Sequence, residues 1–496
     1  MMNTATVSHS NEQAFTIQVS GLVQGVGFRP TVWNLAQRYA IRGRVSNNGK
    51  GVQIFVAGEE GHIRKFMADL TQHPPPLAKI SDVFTFPIAL SDVPEHTFVI
   101  ADSEKSFVQT GIVPDAAPCP ECIKEIFDPF ARRYRYPFTN CTHCGPRLTI
   151  QQGIPYDRPS TTMNEFALCE ACLKEYYNPR DRRFHAQPIG CYACGPKVWI
   201  ERMDGKPVAV HSYTMLDDVD AVCSLLRHGH ILAIKGVGGF QLACDATREE
   251  TVSRLRALKH REGKPLALMA RDLEVIGRYC VVGNVEADLL QSPAAPIVIL
   301  KRHRDSSLAP DVAPGMSTYG FMLPNSPLHH LILQRLAHPI VLTSGNHSGE
   351  PQWIDNDQAR EHLRGIAEFV VLHNRGIAQR VDDSVVKVMA RVPRVLRRSR
   401  GYAPTPVWLP AGFEQAPPIL AMGGELKNTF CLLKDGQALL SHHIGDLEDS
   451  LTYADYQRAI SHYQLLLEQP PEIIAVDLHP EYLSSNLGRT QGHVDH

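Results

Sequence analysis

The sequence predicts a multidomain protein of mixed α+β and α/β class, in which a cysteine-rich block separates two larger regions. Three observations predict this organisation. The chain has 496 residues, enough for about three ordinary domains. Eight of its 12 cysteines lie between Cys119 and Cys194. Strand and helix patterns alternate before and after that block.

The charge and hydropathy of the chain exclude several function classes. Lysine and arginine number 50 against 52 acidic residues, so no excess of positive charge favours a nucleic acid or a membrane surface as a partner. The apolar runs are far shorter than the roughly 20 residues that cross a bilayer. The N-terminal stretch lacks the basic and apolar regions of a signal peptide. We therefore expect a cytoplasmic protein without a membrane partner.

Residues 14–102 are predicted to form the first domain. Alternating apolar residues predict strands at 15–19, 52–57 and 96–101, while apolar residues three and four positions apart predict helices from Pro30 and from about Ile63. The segment Asn47-Asn48-Gly49 predicts a turn before the middle strand. This order, β-α-β-(β)-α-β, is that of a ferredoxin-like plait.

A glycine-rich loop connects the first strand to the first helix, with the sequence Gly21-Leu22-Val23-Gln24-Gly25-Val26-Gly27-Phe28-Arg29. Glycines let backbone N–H groups turn toward one point, and the start of the helix adds the positive end of its dipole. Arg29 can grip a phosphoryl group with two parallel hydrogen bonds. By itself such a loop also suits a purely structural turn. The predicted phosphate-binding residues are Val23, Gln24, Gly25, Val26, Gly27 and Phe28.

This loop, together with Gly43-Arg44-Val45-Ser46-Asn47 and Gly51, resembles the signature of the acylphosphatase family, which has the same plait. The resemblance implies that Arg29 binds the phosphoryl group and that Asn47 orients the attacking water. Arg44 stands where the family usually has an aromatic residue, and Val52 directly after Gly51 is a second departure. Neither removes a catalytic group, and an acyl phosphate is activated enough for positioned water and neutralised charge to hydrolyse it.

The cysteine-rich block, residues 111–200, contains an internal duplication. Its cysteines form four C-x-x-C pairs, and the second two pairs repeat the first two at an offset of 50 residues. The neighbouring sequence repeats as well, since Arg132-Arg133-Tyr134 returns as Arg182-Arg183-Phe184. The eight residues are Cys119, Cys122, Cys141, Cys144, Cys169, Cys172, Cys191 and Cys194.

This spacing predicts two structural zinc sites. Two C-x-x-C pairs place four thiolates around one tetrahedral ion at about 2.3 Å and leave no open position for a substrate. A disulfide framework is the alternative, but it requires secretion, for which no signal is present. The remaining cysteines stand alone, and we expect them to be small buried hydrophobic residues. They are Cys223, Cys244, Cys280 and Cys431.

The largest region, residues 205–404, is predicted to be an α/β domain. Short apolar runs predict strands at 231–235, 265–269, 296–300 and 340–343, with helices at 252–259 and 328–337. Prolines between 404 and 418 then predict a linker. A last segment occupies residues 419–496.

Three polar clusters stand out in the α/β region, at 235–240, 259–265 and 343–349. Lysines and an arginine offer several cations to a triphosphate, and a loop of Ser, Asn and Gly after a strand supplies hydroxyl, amide and backbone donors. Each cluster alone is equally typical of a solvated basic turn or a polar loop.

Together the clusters resemble the K-x-R-x-x-K-P and (S/T)-S-x-N-x-S-G motifs of YrdC-type domains, and residues 398–402 resemble the closing segment of those domains. Such domains join ATP and a carbamoyl-type acid into an acyl-adenylate and release pyrophosphate. The resemblance implies a site for ATP, with Mg²⁺, or for the carbamate. Its residues are Lys259, Arg261, Lys264, Ser344 and Asn346.

The order of these regions resembles that of one family, the HypF carbamoyltransferases of NiFe-hydrogenase maturation. The resemblance implies that the first domain hydrolyses carbamoyl phosphate to carbamate and that the YrdC-like domain converts carbamate to carbamoyl-adenylate. The carbamoyl group then passes to a cysteine of a partner maturation protein, toward the cyanide ligand of the iron centre. An enclosed route suits this chemistry, because carbamate is labile in water.

The last segment resembles the opening of that family's actin-like transfer domain, at residues 422–428 and 477–480. In the family this domain continues for several hundred residues and carries a metal-binding histidine cluster. We therefore expect a truncated chain that keeps carbamoyl phosphate hydrolysis and adenylate formation and does not complete the transfer unaided.

Two rival functions remain from other classes. One is an RNA-modification enzyme that makes threonylcarbamoyl-adenylate, although this leaves Arg29, Asn47 and the zinc units without a role. The other is a nucleic-acid-binding zinc protein that uses the basic, aromatic stretch at 132–136. The near-neutral charge disfavours nucleic acid as a partner.

Overall fold

The structure is a computed structural model, and it describes residues 12–48, 50–101, 112–154, 156–208, 216–413, 415–467 and 470–491. The chain divides into two compact units. The first comprises residues 1–113 and 173–186, and the second comprises residues 114–172 and 187–496. None of the helices in the described part of the chain combines the length and the apolar character that crossing a bilayer demands.

The first unit is built on a five-stranded sheet with two helices. Its elements are β1 (Glu12–Leu22), α1 (Phe28–Arg38), β2 (Arg42–Asn48), β3 (Gly51–Glu59), α2 (Glu60–Gln72), β4 (Lys79–Pro87) and β5 (Phe98–Ile100). Alternate residues of β1, such as Ile17 and Val19, are fully buried and share one hydrophobic cluster with Phe66 of α2. The strand order β4-β1-β3-β2-β5 contains the predicted ferredoxin-like plait in its first four strands.

The strand that closes the plait is one that the sequence pattern does not predict. β4 pairs antiparallel with β1 at the edge of the sheet, and most of its side chains are exposed, including Phe84 and Phe86. An edge strand that buries little on either face lacks the alternating pattern. The strand predicted at 96–101 exists as β5, but it is a fifth strand, parallel to β2 at the opposite edge.

The two cysteine repeats have the same local backbone. Helices α3 (Pro120–Phe127) and α4 (Glu170–Tyr177) begin 50 residues apart. Arg135 and His185 are related by the same offset, and both are left-handed, with φ of 57° and 52°. Each donates its backbone N–H to the carbonyl oxygen of the equivalent helical residue, Ile126 or Tyr176. The predicted duplication therefore extends to the backbone conformation.

The second unit contains a mixed sheet of ten strands, in the order β15-β14-β10-β11-β9-β12-β8-β7-β13-β6. Helices connect several of these strands, in agreement with the α/β prediction. The strands are β6 (Val198–Arg202), β7 (Leu232–Lys235), β8 (Phe240–Asp245), β9 (Ala267–Met269), β10 (Ile297–Lys301), β11 (Thr318–Met322), β12 (Ile340–Ser344), β13 (Phe369–His373), β14 (Val385–Met389) and β15 (Val392–Arg397). The helices are α5 (Asp218–Arg227), α6 (Glu249–Leu258), α7 (Leu273–Gly277), α8 (Asn284–Gln291), α9 (Pro327–Leu333) and α10 (Asn356–His362).

Both faces of this sheet are buried at its central strands. In β13, Phe369 and Val371 belong to a hydrophobic cluster that includes residues of α5 and α9, while Val370 and Leu372 belong to another that includes residues of α6. A strand buried on both faces appears in the sequence as a short continuous apolar run. This explains why the strands predicted at 231–235, 265–269, 296–300 and 340–343 are confirmed as β7, β9, β10 and β12.

The last described segment forms a separate five-stranded sheet in the second unit. Its elements are β16 (Val407–Trp408), β17 (Ile419–Ala421), β18 (Cys431–Lys434), β19 (Gln437–Leu440), α11 (Ser450–Leu467), β20 (Ile473–Ala475) and α12 (Leu483–Gln491). The strand order is β16-β19-β18-β17-β20, so β16 ties the proline-rich linker to this sheet.

Arg380, which follows β13, joins the two sheets, because its buried guanidinium pairs with Asp455 of α11 and donates to the carbonyl oxygen of Ile444 at 2.9 Å.

We predict that Gly51→Ala destabilises the first unit. Gly51 has a φ of +135°, and an added Cβ would lie 2.1 Å from the carbonyl oxygen of Val19. The backbone of β1 or β3 must therefore move, at a cost of about 2 kcal/mol or more. Hydrogen exchange of peptides from β1 and β3, followed by mass spectrometry, should accelerate by about tenfold or more.

The matched control for this prediction is Gly61→Ala. Gly61 lies near the start of α2, with nothing within 4 Å of an added Cβ. This change should leave the exchange rates unchanged or slow them slightly, because alanine reduces the freedom of the unfolded chain. Equal exchange in the two variants would show that the backbone at Gly51 is not constrained.

Candidate functional site

The phosphate-binding loop predicted at 23–28 lies between β1 and α1. Gly25 and Gly27 are left-handed, with φ of 69° and 80°, a conformation that glycine adopts without strain. Gly27 directly precedes α1, and no side chain caps the start of that helix. The N–H groups of the first turn therefore face the loop, as an anion site requires.

The same edge of the sheet carries Arg29 and Asn47. β1 and β2 are both antiparallel to β3, so their carboxyl ends meet at one edge. The side chain of Gln24 donates to the carbonyl oxygens of Asn48, at 3.0 Å, and Gly51, at 2.7 Å, and so fixes the loop against the connection between β2 and β3. Arg29 is the second residue of α1, beside the loop, and Asn47 lies near the end of β2.

Asn47 has an unsatisfied side chain in this position. Its Oδ1 atom is buried and has no hydrogen-bond partner. A buried polar atom without a partner is costly, so such atoms mark strain or the place of a ligand or water. Strand β2 continues through Asn48, so the first two residues of the turn predicted at 47–49 lie in the strand, and Gly49 lies outside the described residues.

The eight cysteines of the repeats form two clusters. In each cluster the four Sγ atoms lie within 4.8 Å of one another. Individual separations are 3.5 to 3.7 Å in the first cluster, and 3.7 and 3.8 Å in the second. A tetrahedral ion about 2.3 Å from each sulfur would separate the sulfurs by about 3.8 Å, so each cluster fits one metal ion. The clusters are Cys119, Cys122, Cys141 and Cys144, and Cys169, Cys172, Cys191 and Cys194.

The alternative of a disulfide framework is wrong. All 12 cysteines are free, and the separations within the clusters far exceed the roughly 2.05 Å of a disulfide bond. Of the isolated cysteines, Cys223, Cys244 and Cys280 are buried as expected, while Cys431 is half-buried.

Arginines of the first repeat contact the second cluster. Arg132 and Arg133 each donate to Cys172 Sγ, at 3.2 and 3.3 Å, and Arg133 also donates to the carbonyl oxygen of Gly190 at 2.8 Å. The first cluster has a different arginine, Arg147, which donates only to carbonyl oxygens of the loop around it, including that of Thr142 at 2.8 Å. A buried guanidinium thus holds the loops of each cluster, Arg133 in the second and Arg147 in the first.

The basic, aromatic stretch at 132–136 does not form a nucleic-acid surface. Arg133, Arg135 and Tyr136 are buried. The guanidinium of Arg135 pairs with Asp217 and Asp220, each at 2.8 Å. Side chains that are committed to internal contacts cannot reach phosphates or stack on bases.

A cavity of about 400 Å³ lies next to the end of β12 in the second unit. Four of the five residues predicted for ATP or carbamate line it, namely Arg261, Lys264, Ser344 and Asn346. Arg261 donates only to neutral carbonyl oxygens of Lys264 and Pro265. Burial, and then the neighbouring Arg256 and Arg397, lower the pKa of Arg261 to about 10. Its positive charge is therefore available to an anion in the cavity.

Lys259, the fifth predicted residue, lies behind the cavity wall. Its side chain is completely buried, and its Nζ donates to the carbonyl oxygens of Ser344 and Asn346, at 2.6 and 2.7 Å, and to Asn346 Oδ1. Burial, and then Arg261, lower its pKa to about 7, while Glu350 and Asp382 oppose this shift. Lys259 therefore holds the loop that presents Ser344 and Asn346.

The cavity includes residues that sequence reasoning missed. Arg380 and Asp382 follow β13, and Lys427, His443 and Asp446 come from the last segment. The signals in the sequence were the polar run at 441–443 and, for Lys427, the motif at 422–428. The segment at 398–402 instead has a structural role, since Arg400 pairs with Asp383 and donates to backbone carbonyl oxygens.

We predict that two buried arginines control the two clusters separately. With zinc bound, Arg133→Gln should speed metal loss from the second cluster by about tenfold or more, because partners of metal ligands tune affinity to that extent. Arg147→Gln is the matched change and should act on the first cluster. Release to a coloured chelator measures the rates, and Cys172→Ser and Cys144→Ser identify which cluster empties. Equal rates at both clusters in both variants would contradict this assignment.

Family models match four parts of the chain. The model described as Acylphosphatase matches residues 15–100, and the HypF finger model matches residues 119–151 and 168–201. The model described as Telomere recombination, named for Sua5, YciO and YrdC, matches residues 224–399. The HypF Kae1-like domain model matches residues 414–496.

Similar proteins extend across nearly the whole chain. The Carbamoyltransferase HypF of Rhodobacter capsulatus is 48% identical over 96% of this chain, and that of Synechocystis sp. is 46% identical over 96%. The chain spans 62% and 61% of the lengths of these two proteins.

Solved structures agree with these matches. A full-length HypF in the phosphate- and nucleotide-bound form is 42% identical, with a TM-score of 0.89 over 97% of this chain and 62% of its own. HypF of T. kodakarensis is 38% identical, with a TM-score of 0.83 over 96% of this chain and 61% of its own. With the finger and Kae1-like domain matches, these similarities show that nearly the whole chain resembles about three fifths of the HypF carbamoyltransferases.

Proposed function

We propose that this chain prepares a carbamoyl group for transfer in two chemical steps, hydrolysis of carbamoyl phosphate and adenylation of the resulting carbamate by ATP. The acceptor would be a cysteine of a partner protein in NiFe-hydrogenase maturation. The observation that supports the proposal is that one chain holds both a glycine-rich loop at an uncapped helix start and a cavity beside β12 lined by Arg261 and Lys264.

The first step is assigned to the loop before α1. The N–H groups of residues 23–28 and the guanidinium of Arg29 bind the phosphoryl oxygens, whose charge they neutralise. The unsatisfied Oδ1 of Asn47 accepts a hydrogen bond from water and orients it. The water oxygen bonds to phosphorus while the bond from phosphorus to the acyl oxygen breaks. Carbamate leaves as an anion, and the proton of the water passes to the phosphate product or to solvent.

The second step is assigned to the cavity of about 400 Å³. A carbamate oxygen bonds to the α-phosphorus of ATP, and pyrophosphate leaves. Arg261 and Lys264 carry positive charge toward the triphosphate, while Ser344 and Asn346 offer a hydroxyl and an amide. Mg²⁺ would enter as the partner of ATP. Lys259 acts as a positioning residue, because its three acceptors all belong to the loop of Ser344 and Asn346.

Zinc is the metal proposed for both cysteine clusters. Thiolates favour it, and a shell of four sulfurs leaves no position for a substrate, so the role is structural. The residues that would hold it are the eight cysteines of the two clusters, whose sulfur separations fit a tetrahedral ion. Coordination would fix the loops in which Arg133 and Arg147 sit.

We predict that Arg29→Ala lowers phosphate release from carbamoyl phosphate by about 1000-fold and Asn47→Ala by about 100-fold, because each removes a group that acts on the transition state. A phosphate assay on the purified chain measures both. Asn48→Ala is the matched control. Its side chain only bonds Gln18 and the N–H of Lys50, so hydrolysis should stay within about twofold. Undiminished hydrolysis in Arg29→Ala would rule out the assignment.

A further prediction concerns the cavity. Lys264→Ala should lower carbamate-dependent exchange of radiolabelled pyrophosphate into ATP by about tenfold or more and leave phosphate release from carbamoyl phosphate intact. The control is Lys301→Ala, an exposed lysine at the end of β10 that does not line the cavity. Exchange that requires added threonine would instead support an enzyme of RNA modification.

A further inference from the structure

A second, smaller cavity lies within the second unit, between the first cysteine repeat and the ten-stranded sheet. Its volume is about 30 Å³, room for a few heavy atoms and too little for a nucleotide. Residues 137–140 form one wall, and the ends of β7 and β13 form another. Two cations, Lys235 and Arg375, line it together with His373. The proposed chemistry gives none of these three residues a role.

Arg375 is a buried guanidinium without a counter-charge. Its side chain is 5% exposed, its Nε is buried with no hydrogen-bond partner, and its guanidinium carbon lies 5.4 Å from the centre of the Phe138 ring. Among the described residues, no carboxylate oxygen lies within 4 Å of it. Arg147 also has a buried Nε without a partner, but its other two guanidinium nitrogens donate to four carbonyl oxygens. Burial of an arginine without such partners is costly, so the site needs a ligand.

Lys235 places a second positive charge in the same cavity. Its side chain is also 5% exposed, and its Nζ donates to two neutral acceptors, Asn356 Oδ1 at 2.7 Å and the carbonyl oxygen of His373 at 3.3 Å. No carboxylate among the described residues pairs with it either. Two like charges without a counter-ion repel each other, and a bound anion would relieve both.

The pKa shifts agree with this geometry. Burial, and then the charge of Arg375, lower the pKa of Lys235 to about 8, while Asp355 opposes the shift. Burial lowers the pKa of Arg375 to about 10, against attraction from Asp115. These two carboxylates act on the cations only from beyond contact distance.

We propose that Lys235, Arg375 and His373 form a binding site for a small planar anion of the carboxylate type that also carries a hydrogen-bond donor, the chemistry shared by bicarbonate and carbamate. The planar guanidinium matches two oxygens of such an anion, and the ammonium adds a second charge.

His373 supplies the selectivity for a donor. Its side chain is fully buried, and its Nε2 lies 3.3 Å from the carbonyl oxygen of Gly236, which can only accept a hydrogen bond. Nε2 therefore carries the proton, and Nδ1, which has no partner, is an acceptor. An O–H or N–H of the anion satisfies it, whereas acetate and chloride have no donor to offer.

The class of anion follows from the site alone, and only its identification with carbamate rests on the proposed function. If that function holds, the small cavity gives carbamate a protected place away from bulk water. Lys235 ends β7 and His373 ends β13, so the site is built on the same sheet as the larger cavity. Bicarbonate is the stable probe for it.

The test is binding of ¹³C-labelled bicarbonate to the zinc-loaded full chain at neutral pH, followed by broadening of its NMR signal, with sodium chloride holding the ionic strength constant. Arg375→Met and Lys235→Met should each weaken binding by about tenfold or more, and acetate should compete about tenfold more weakly than unlabelled bicarbonate. Arg278→Met is the control. Arg278 is partly exposed and pairs with Glu274, so binding should be unchanged.

A purely structural role gives a different result. Without bicarbonate, Arg375→Met should melt at the same temperature as the unsubstituted chain or higher, because it removes an uncompensated buried charge. Bicarbonate should raise the melting temperature of the unsubstituted chain and not that of the variant. If Arg375→Met does not fold, the same comparison of melting temperatures with and without bicarbonate is made with Lys235→Met.

Three results would overturn the site: no binding at millimolar bicarbonate, equal binding in the unsubstituted chain and Lys235→Met, or displacement by chloride as effective as by bicarbonate. Phosphate release from carbamoyl phosphate, measured on the same unsubstituted samples, reports on the proposed function separately. Binding can therefore fail while hydrolysis persists, and hydrolysis can fail while binding persists.

Discussion

The close approach of four thiols in each cysteine cluster is the constraint on which the middle of the molecule depends. The described part of residues 112–197 has two helices of eight residues, short 3-10 turns and isolated bridges. So little regular structure buries too little apolar surface to fold by itself, and coordination of the proposed metal would supply the missing free energy. Phe138 and Tyr136 lie in the loops that this coordination fixes, so one wall of the small cavity depends on it as well.

Buried arginines extend this organisation beyond the cysteines. Arg133 and Arg147 hold the clusters, Arg380 joins the ten-stranded sheet to α11, and Arg400 fastens the segment after β15 to Asp383. A guanidinium has five donors in a rigid plane, so it can satisfy the carbonyl and carboxylate oxygens of several loops at once. Arg375 is the exception among them, since in the described part of the chain its buried guanidinium forms no hydrogen bond and no ion pair.

The sequence is informative where one physical requirement determines the pattern. Thiolate coordination fixes the cysteine spacing, and burial on both faces gives strands such as β12 a continuous apolar run. β4 was missed because an edge strand buries almost nothing. The sequence predicts only part of the lining of the cavity beside β12, because Arg380 and Lys427 reach this cavity through tertiary contacts that a local sequence pattern does not reveal. The position of Lys259 behind the wall follows from burial, which a motif does not reveal.

The bonds from Arg132 and Arg133 to Cys172 also bear on how the duplicated block folds. Because the first repeat donates two hydrogen bonds to a sulfur of the second cluster, the two repeats are not structurally independent. The second cluster is complete only when the first repeat is in place, so the pair should gain and lose structure as one cooperative element.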